Sequence, residues 1–84
     1  MAIKMYSMDG CMECVRLRQI LDEKGVTVEE IKVSGDDASR SEISAKTGGA
    51  KSIPQLFNDD EYIGGFQAVV GMNATGELDA KLGL

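Results

Sequence analysis

Apolar and polar positions divide the chain into alternating strand-like and helix-like stretches. Ile3 and Met5, with Tyr6 behind them, read as a first strand over Ile3–Ser7. Ser7-Met8-Asp9-Gly10 is a turn signal. From Cys11 to Lys24 the period becomes helical: Cys14, Leu17 and Leu21 share one face with Val15 beside them, and Arg16, Glu23 and Lys24 lie elsewhere. Gly25 stops that helix. Ile31 and Val33 alternate with Glu30 and Lys32, which predicts a second strand over Val26–Val33. After the loop Ser34-Gly35-Asp36-Asp37, Ser39 with Glu42 three residues on fits a capping box. The helix it starts carries Ile43 and ends at Gly48-Gly49.

Ile53 to Asn58 reads as a short strand containing Pro54, and Asn58-Asp59-Asp60-Glu61 as a polar turn. Tyr62-Ile63 completes a hairpin, which Gly64-Gly65 breaks. Phe66–Asn73 reads as a third helix and Glu77–Leu82 as one further turn. The predicted order is β-α-β-α-β-β-α. The first helical crossover joins parallel strands in a right-handed sense, and the hairpin adds antiparallel ones. An α/β fold follows, with one mixed four-stranded sheet and helices on both faces. Tyr6 is expected in the core, and the five methionines as gap fillers or rim residues.

At 84 residues, positions 1–84 are expected to form one domain. Nine basic residues against fourteen acidic ones give a net charge of −5, which disfavours nucleic acid as a partner. No apolar run reaches the length of a membrane span, and the N-terminus lacks an apolar signal core. A cytoplasmic monomer is the expectation.

That placement gives the two cysteines their meaning. Two close cysteines in a reducing compartment point to redox catalysis or to metal binding. With no His and no third Cys, a zinc site would need two carboxylates, an unusual set, so no metal is expected. Cys11-Met12-Glu13-Cys14 falls between the first strand and the first helix. The spacing puts both sulfurs on one face within reach of a disulfide. The helix N-terminus offers free N–H groups and a partial positive charge, which lower a thiol pKa. Cys11 is then the attacking nucleophile, and the more buried Cys14 the resolving thiol.

Lys4-Met5-Tyr6-Ser7 leading into Cys11-Met12-Glu13-Cys14 resembles the start of a glutaredoxin. Ser52-Ile53-Pro54-Gln55-Leu56-Phe57 resembles the family segment that carries its cis-proline, and Asp59-Asp60-Glu61-Tyr62-Ile63-Gly64-Gly65-Phe66 its hairpin and diglycine turn. The motifs stand in family order over nearly the whole chain. Read alone, Pro54 fits a trans proline on an edge strand. The resemblance instead implies a thioredoxin-like three-layer fold with Pro54 cis and facing Cys11. It also implies that the Ile53 backbone pairs with an extended substrate such as glutathione. Lys51, Ser52, Ile53, Pro54, Gly64, Gly65 and Gln67 are the implied glutathione or substrate contacts.

The chain also departs from the family. Met12-Glu13 stands where many glutaredoxins have Pro-Tyr, Met8 where they commonly have Lys, and Gln67 where they commonly have Asp. Two charged contacts to glutathione are therefore missing. Met12-Glu13 and Gly65-Phe66-Gln67 also resemble redoxins that donate electrons to ribonucleotide reductase and are reduced by thioredoxin reductase. The expected function is reduction of protein disulfides and glutathione mixed disulfides, with glutathione as reductant. The redoxin role is the alternative. An iron–sulfur carrier usually has small residues after the first Cys, and bulky, charged Met12-Glu13 argues against it.

Overall fold

The structure, a computed structural model, describes residues 2–84. Its elements are β1 (Ile3–Ser7), α1 (Met12–Glu23), β2 (Val28–Lys32), α2 (Asp37–Thr47), β3 (Gln55–Asn58), β4 (Glu61–Gly65), α3 (Phe66–Thr75) and α4 (Glu77–Leu82). The strands form one four-stranded sheet in the order β2-β1-β3-β4. β1 runs parallel to β2 through the α1 crossover, and β3 is antiparallel to both β1 and β4. This is the mixed sheet that the alternation of elements predicts.

The pleat sends neighbouring residues of the central strands to opposite faces. Ile3, Met5, Leu56 and Ile63 meet Leu17 and Leu21 of α1, Val69 of α3, and Leu78 and Leu82 of α4. On the other face Tyr6 and Phe57 pack against Ile43 of α2. Their rings stand edge to face at 5.6 Å, a favoured aromatic geometry. Each large aliphatic side chain so buried contributes about 1.5–3 kcal/mol. β1 and β3 are therefore covered on both sides, and β2 is left as one edge of the sheet.

Several boundaries differ from the sequence reading. The cap of α2 is Asp36, not Ser39: Asp36 Oδ1 accepts the Ser39 N–H at 2.8 Å, so the helix starts at Asp37. A carboxylate caps as well as a hydroxyl, and the Ser39 backbone N–H holds the Asp36 carboxyl below its ordinary pKa. β2 begins at Val28 rather than Val26, because the Val26 N–H is spent on Leu21 O at the close of α1. Val15 stands 53% exposed instead of joining the buried stripe of Cys14, Leu17 and Leu21. Gly64 and Gly65 do not break the hairpin; they pair with Leu56 and Gln55 as part of β4. Pro54 precedes β3 instead of lying within it. α3 continues through Gly71 to Thr75, and Gly76, at φ 86°, separates it from a distinct α4.

Candidate active site

β1 delivers the chain to the site. Its last residue, Ser7, is fully buried, and the turn Met8-Asp9-Gly10 leads to Cys11 at the head of α1. Cys11 is the N-cap of α1, with extended backbone, and its Sγ accepts the Cys14 N–H at 3.1 Å. The Cys11 carbonyl accepts the Val15 N–H. Cys11 is partly exposed, whereas Cys14 retains 4% exposure. The two form a disulfide, their Cα atoms 5.3 Å apart. On reduction, the Cys14 N–H and the first-turn amides face a sulfur at the helix mouth. Charge-assisted hydrogen bonds and the helix dipole there stabilise a thiolate.

The flank formed by α1 and β2 is held by charge. Ser7 Oγ donates to Glu30 Oε2 at 2.6 Å, and Arg18 Nη1 donates to Glu30 Oε1 at 2.9 Å. Arg18 Nε donates to Asp22 at 3.1 Å, and this bond raises the Arg18 pKa still further. Lys32 donates to Asp9 at 2.8 Å across the turn before Cys11. That hydrogen bond holds the Asp9 carboxyl below its ordinary range and the Lys32 ammonium above its own.

The flank formed by β3 and β4 is held by neutral groups. The Ile53–Pro54 peptide bond is cis, and Pro54 is buried. Gln55, 1% exposed, donates to both Ser52 O at 3.0 Å and Ser52 Oγ at 3.1 Å. Tyr62 Oη donates to Gln55 Oε1 at 2.6 Å, and burial raises the Tyr62 pKa. A Cβ on Gly65 would lie 3.4 Å from the Gln55 amide and 3.5 Å from Pro54 O. A Cβ on Gly64 would lie 2.8 Å from Ala68 Cβ, at a φ of +154°. Only glycine tolerates that approach at that backbone angle.

Of the residues singled out in the sequence, Cys11 and Cys14 are joined, and Ser52, Pro54 and Gly65 meet around Gln55. Ile53 is half-buried beside Pro54, and Gly64 packs on α3. Lys51 and Gln67 are exposed. The Lys51 carbonyl is anchored by Arg40 Nη1 at 3.0 Å, and Gln67 stands in the first turn of α3. Sequence reasoning missed Ser7, Glu30, Arg40, Gln55 and Tyr62 as supporting residues. Only Gln55 carried a local signal, as a polar residue inside the apolar run Ile53–Phe57.

A sheet of this topology with Cys-x-x-Cys at the mouth of its first helix defines a thioredoxin-type thiol–disulfide oxidoreductase. The family model described as Glutaredoxin matches residues 3–63. A probable glutaredoxin of Synechocystis sp. is 35% identical over 80 residues, covering 95% of this chain and 91% of that one. Glutaredoxin 3 of Escherichia coli K12 is 34% identical, covering 95% of each. Among solved structures, the holo form of glutaredoxin C1 from Populus tremula x tremuloides superposes with a TM-score of 0.85 at 25% identity, over 96% of this chain and 82% of that one. The buckwheat glutaredoxin–glutathione complex superposes with a TM-score of 0.83 at 25% identity, over 96% and 76%. The chain belongs to the glutaredoxin family. It is a thiol–disulfide oxidoreductase whose redox pair is Cys11 and Cys14.

Proposed function

We propose that the protein reduces protein disulfides and glutathione mixed disulfides, with glutathione returning it to the dithiol state. The observation that carries this reading is the position of Cys11 Sγ, which caps α1 and accepts the Cys14 N–H. The Cys11 thiolate attacks one sulfur of the substrate disulfide. A Cys11–substrate disulfide forms, and the other substrate sulfur leaves as a thiolate and takes a proton. Cys14 loses its proton and attacks Cys11 Sγ, which forms the Cys11–Cys14 disulfide and releases the second substrate thiol. Two electrons pass from protein to substrate. Two molecules of glutathione restore the dithiol and leave as glutathione disulfide.

The relative from buckwheat is a complex with glutathione, which supports glutathione as the ligand of the β3–β4 flank. Lys51, Ser52, Ile53, Pro54, Gly64, Gly65 and Gln67 are its contacts in this reading. Met8 and Gln67 replace two charges, so glutathione is held more weakly than by a glutaredoxin that has them. Each charge-assisted hydrogen bond made would contribute about 1.5–3 kcal/mol.

A coupled assay tests the reading. Glutathione with glutathione reductase should sustain turnover, and Gln67→Asp should lower KM for glutathione mixed disulfides. Cys11→Ser should abolish all activity, while Cys14→Ser keeps mixed-disulfide turnover and loses protein-disulfide reduction. Turnover sustained only by thioredoxin reductase would replace the reading by that of an electron donor to ribonucleotide reductase. Met12-Glu13 and Gly65-Phe66-Gln67 favour that second role.

A further inference from the structure

A groove of about 460 Å³ opens between α1 and the edge strand β2, and both cysteines stand at one end of it. It lies on the opposite side of β1 from β3 and β4, and of its lining Met8 alone, at the cysteine end, is also a position read above as bearing on glutathione. Its wall nearest the cysteines is apolar, formed by Met8, Met12 and Val15. Met12 is 68% exposed and Val15 53%; they are two of the four large apolar side chains left exposed among the described residues. Spaced three apart on α1, they form one patch. Its far end is ionic. There Arg18 bridges Asp22 and Glu30, and Lys32 holds Asp9 and stands 3.8 Å from Glu30. Over the whole lining Asp9, Asp22 and Glu30 exceed the two cations by one negative charge.

We propose that this groove docks the polypeptide segment beside the disulfide of a protein substrate, with an apolar residue next to the cysteine and a basic residue beyond it. The inference rests on the protein-disulfide activity proposed above. During exchange the substrate sulfur is bonded to Cys11, so the chain leaving that sulfur must cross one flank of the site. The α1–β2 flank is continuous with Cys11 and Cys14 and presents the uncovered apolar patch. The groove is lined from Met12 to Asp22, which is about 15 Å along the helix. That reach suits several extended residues. Methionine side chains adapt to differing apolar partners. Asp22, with its side chain 58% exposed and its partner Arg18 shared with Glu30, makes the far end attractive to a cation and repulsive to an anion. Glu30 is fixed from below by buried Ser7, so the ionic end is preformed.

The test uses two synthetic peptides, each closed by one internal disulfide. One carries Leu and Arg beside a cysteine, the other Leu and Asp. Pre-reduced protein is mixed with excess peptide, and released peptide thiol is followed through a single turnover, so no external reductant enters the readout. The wild type should half-saturate at about fivefold lower concentration of the Arg peptide. Val15→Glu should raise that concentration about fivefold for the Leu–Arg peptide, through binding more than through the limiting rate. Asp22→Lys should reverse the preference between the peptides. Val70→Glu, the same kind of change at an exposed apolar residue of α3, should alter neither value. The docking site is overturned if both groove variants stay within about twofold of wild type on both peptides, or if Val70→Glu matches Val15→Glu. In that case the protein-disulfide activity still stands. Failure of the wild type to reduce either peptide overturns that activity and the docking site together.

Discussion

The two flanks of the cysteine pair are built from different interactions. On the β3–β4 side, Tyr62, Gln55 and Ser52 form a chain of uncharged hydrogen bonds, most of it out of water, closed by two glycines packed against Ala68 and Gln55. On the α1–β2 side, Arg18, Glu30, Asp22, Lys32 and Asp9 form ion pairs in contact with solvent. A buried neutral group left without a partner loses its full desolvation cost, and salt cannot replace it. An exposed ion pair is worth little singly and is screened. The β3–β4 flank is therefore the stiff wall of the site, and the α1–β2 flank the adjustable one.

Gln55→Leu should produce the largest change. It keeps the approximate volume but leaves the Tyr62 hydroxyl without its acceptor and the Ser52 carbonyl without its donor, a loss of about 2–3 kcal/mol. Denaturant unfolding should show that loss unchanged at high salt. Adding Tyr62→Phe should recover part of it, because the orphaned donor is removed. Equal losses in the single and double variants would mean the chain of bonds is not a unit.

Gly64→Ala should come next, at about 1–3 kcal/mol. Its Cβ would meet Ala68 Cβ at 2.8 Å. Ala68→Gly should restore most of the spatial part and none of the backbone part. The same melting experiment separates the two.

Glu30→Gln should cost only about 0.5–1 kcal/mol in low salt. The amide can still accept from Ser7, and only the attractions to Arg18 and, more weakly, to Lys32 go. Raising the salt concentration should bring the variant towards wild type. A loss indifferent to salt would place Glu30 with the buried, neutral type of support.

The smallest effects lie at the two ends of the pH scale. Asp9 titrates below its ordinary value in the folded protein because Lys32 bonds it. Its contribution is present above the unfolded carboxyl pKa and is lost as pH falls through the lower folded value. Lys32→Gln should flatten that acid slope. Tyr62 titrates above its ordinary value because it is partly buried. The folded state keeps that proton longer than the unfolded chain, so stability falls as pH rises above the ordinary tyrosine pKa of about 10. Tyr62→Phe should remove its share of that alkaline slope, leaving the share of Lys32 and Lys46, which also titrate above their ordinary value, and should leave the acid slope untouched.

What the sequence determined by itself is whatever is written in neighbouring residues. The period change after Gly10 places Cys11 at a helix mouth, and Cys-x-x-Cys spacing brings the two sulfurs together, because helix geometry is local. The alternation of elements is enough for the mixed sheet, since a strand–helix–strand unit has one favoured hand. Helix ends were less legible: Ser39 and Asp36 both qualify as caps, and the backbone took the earlier one. The tertiary structure alone decided that Val15 faces water and that Gly64-Gly65 continue β4. It also joined Glu30 to Ser7 across 23 positions and to Arg18 across 12. A side chain two turns or a strand away in space leaves no periodic trace in the sequence. Whether a polar residue such as Gln55 is a solvated side chain or the clamp of the loop before β3 depends on which strand is laid beside it.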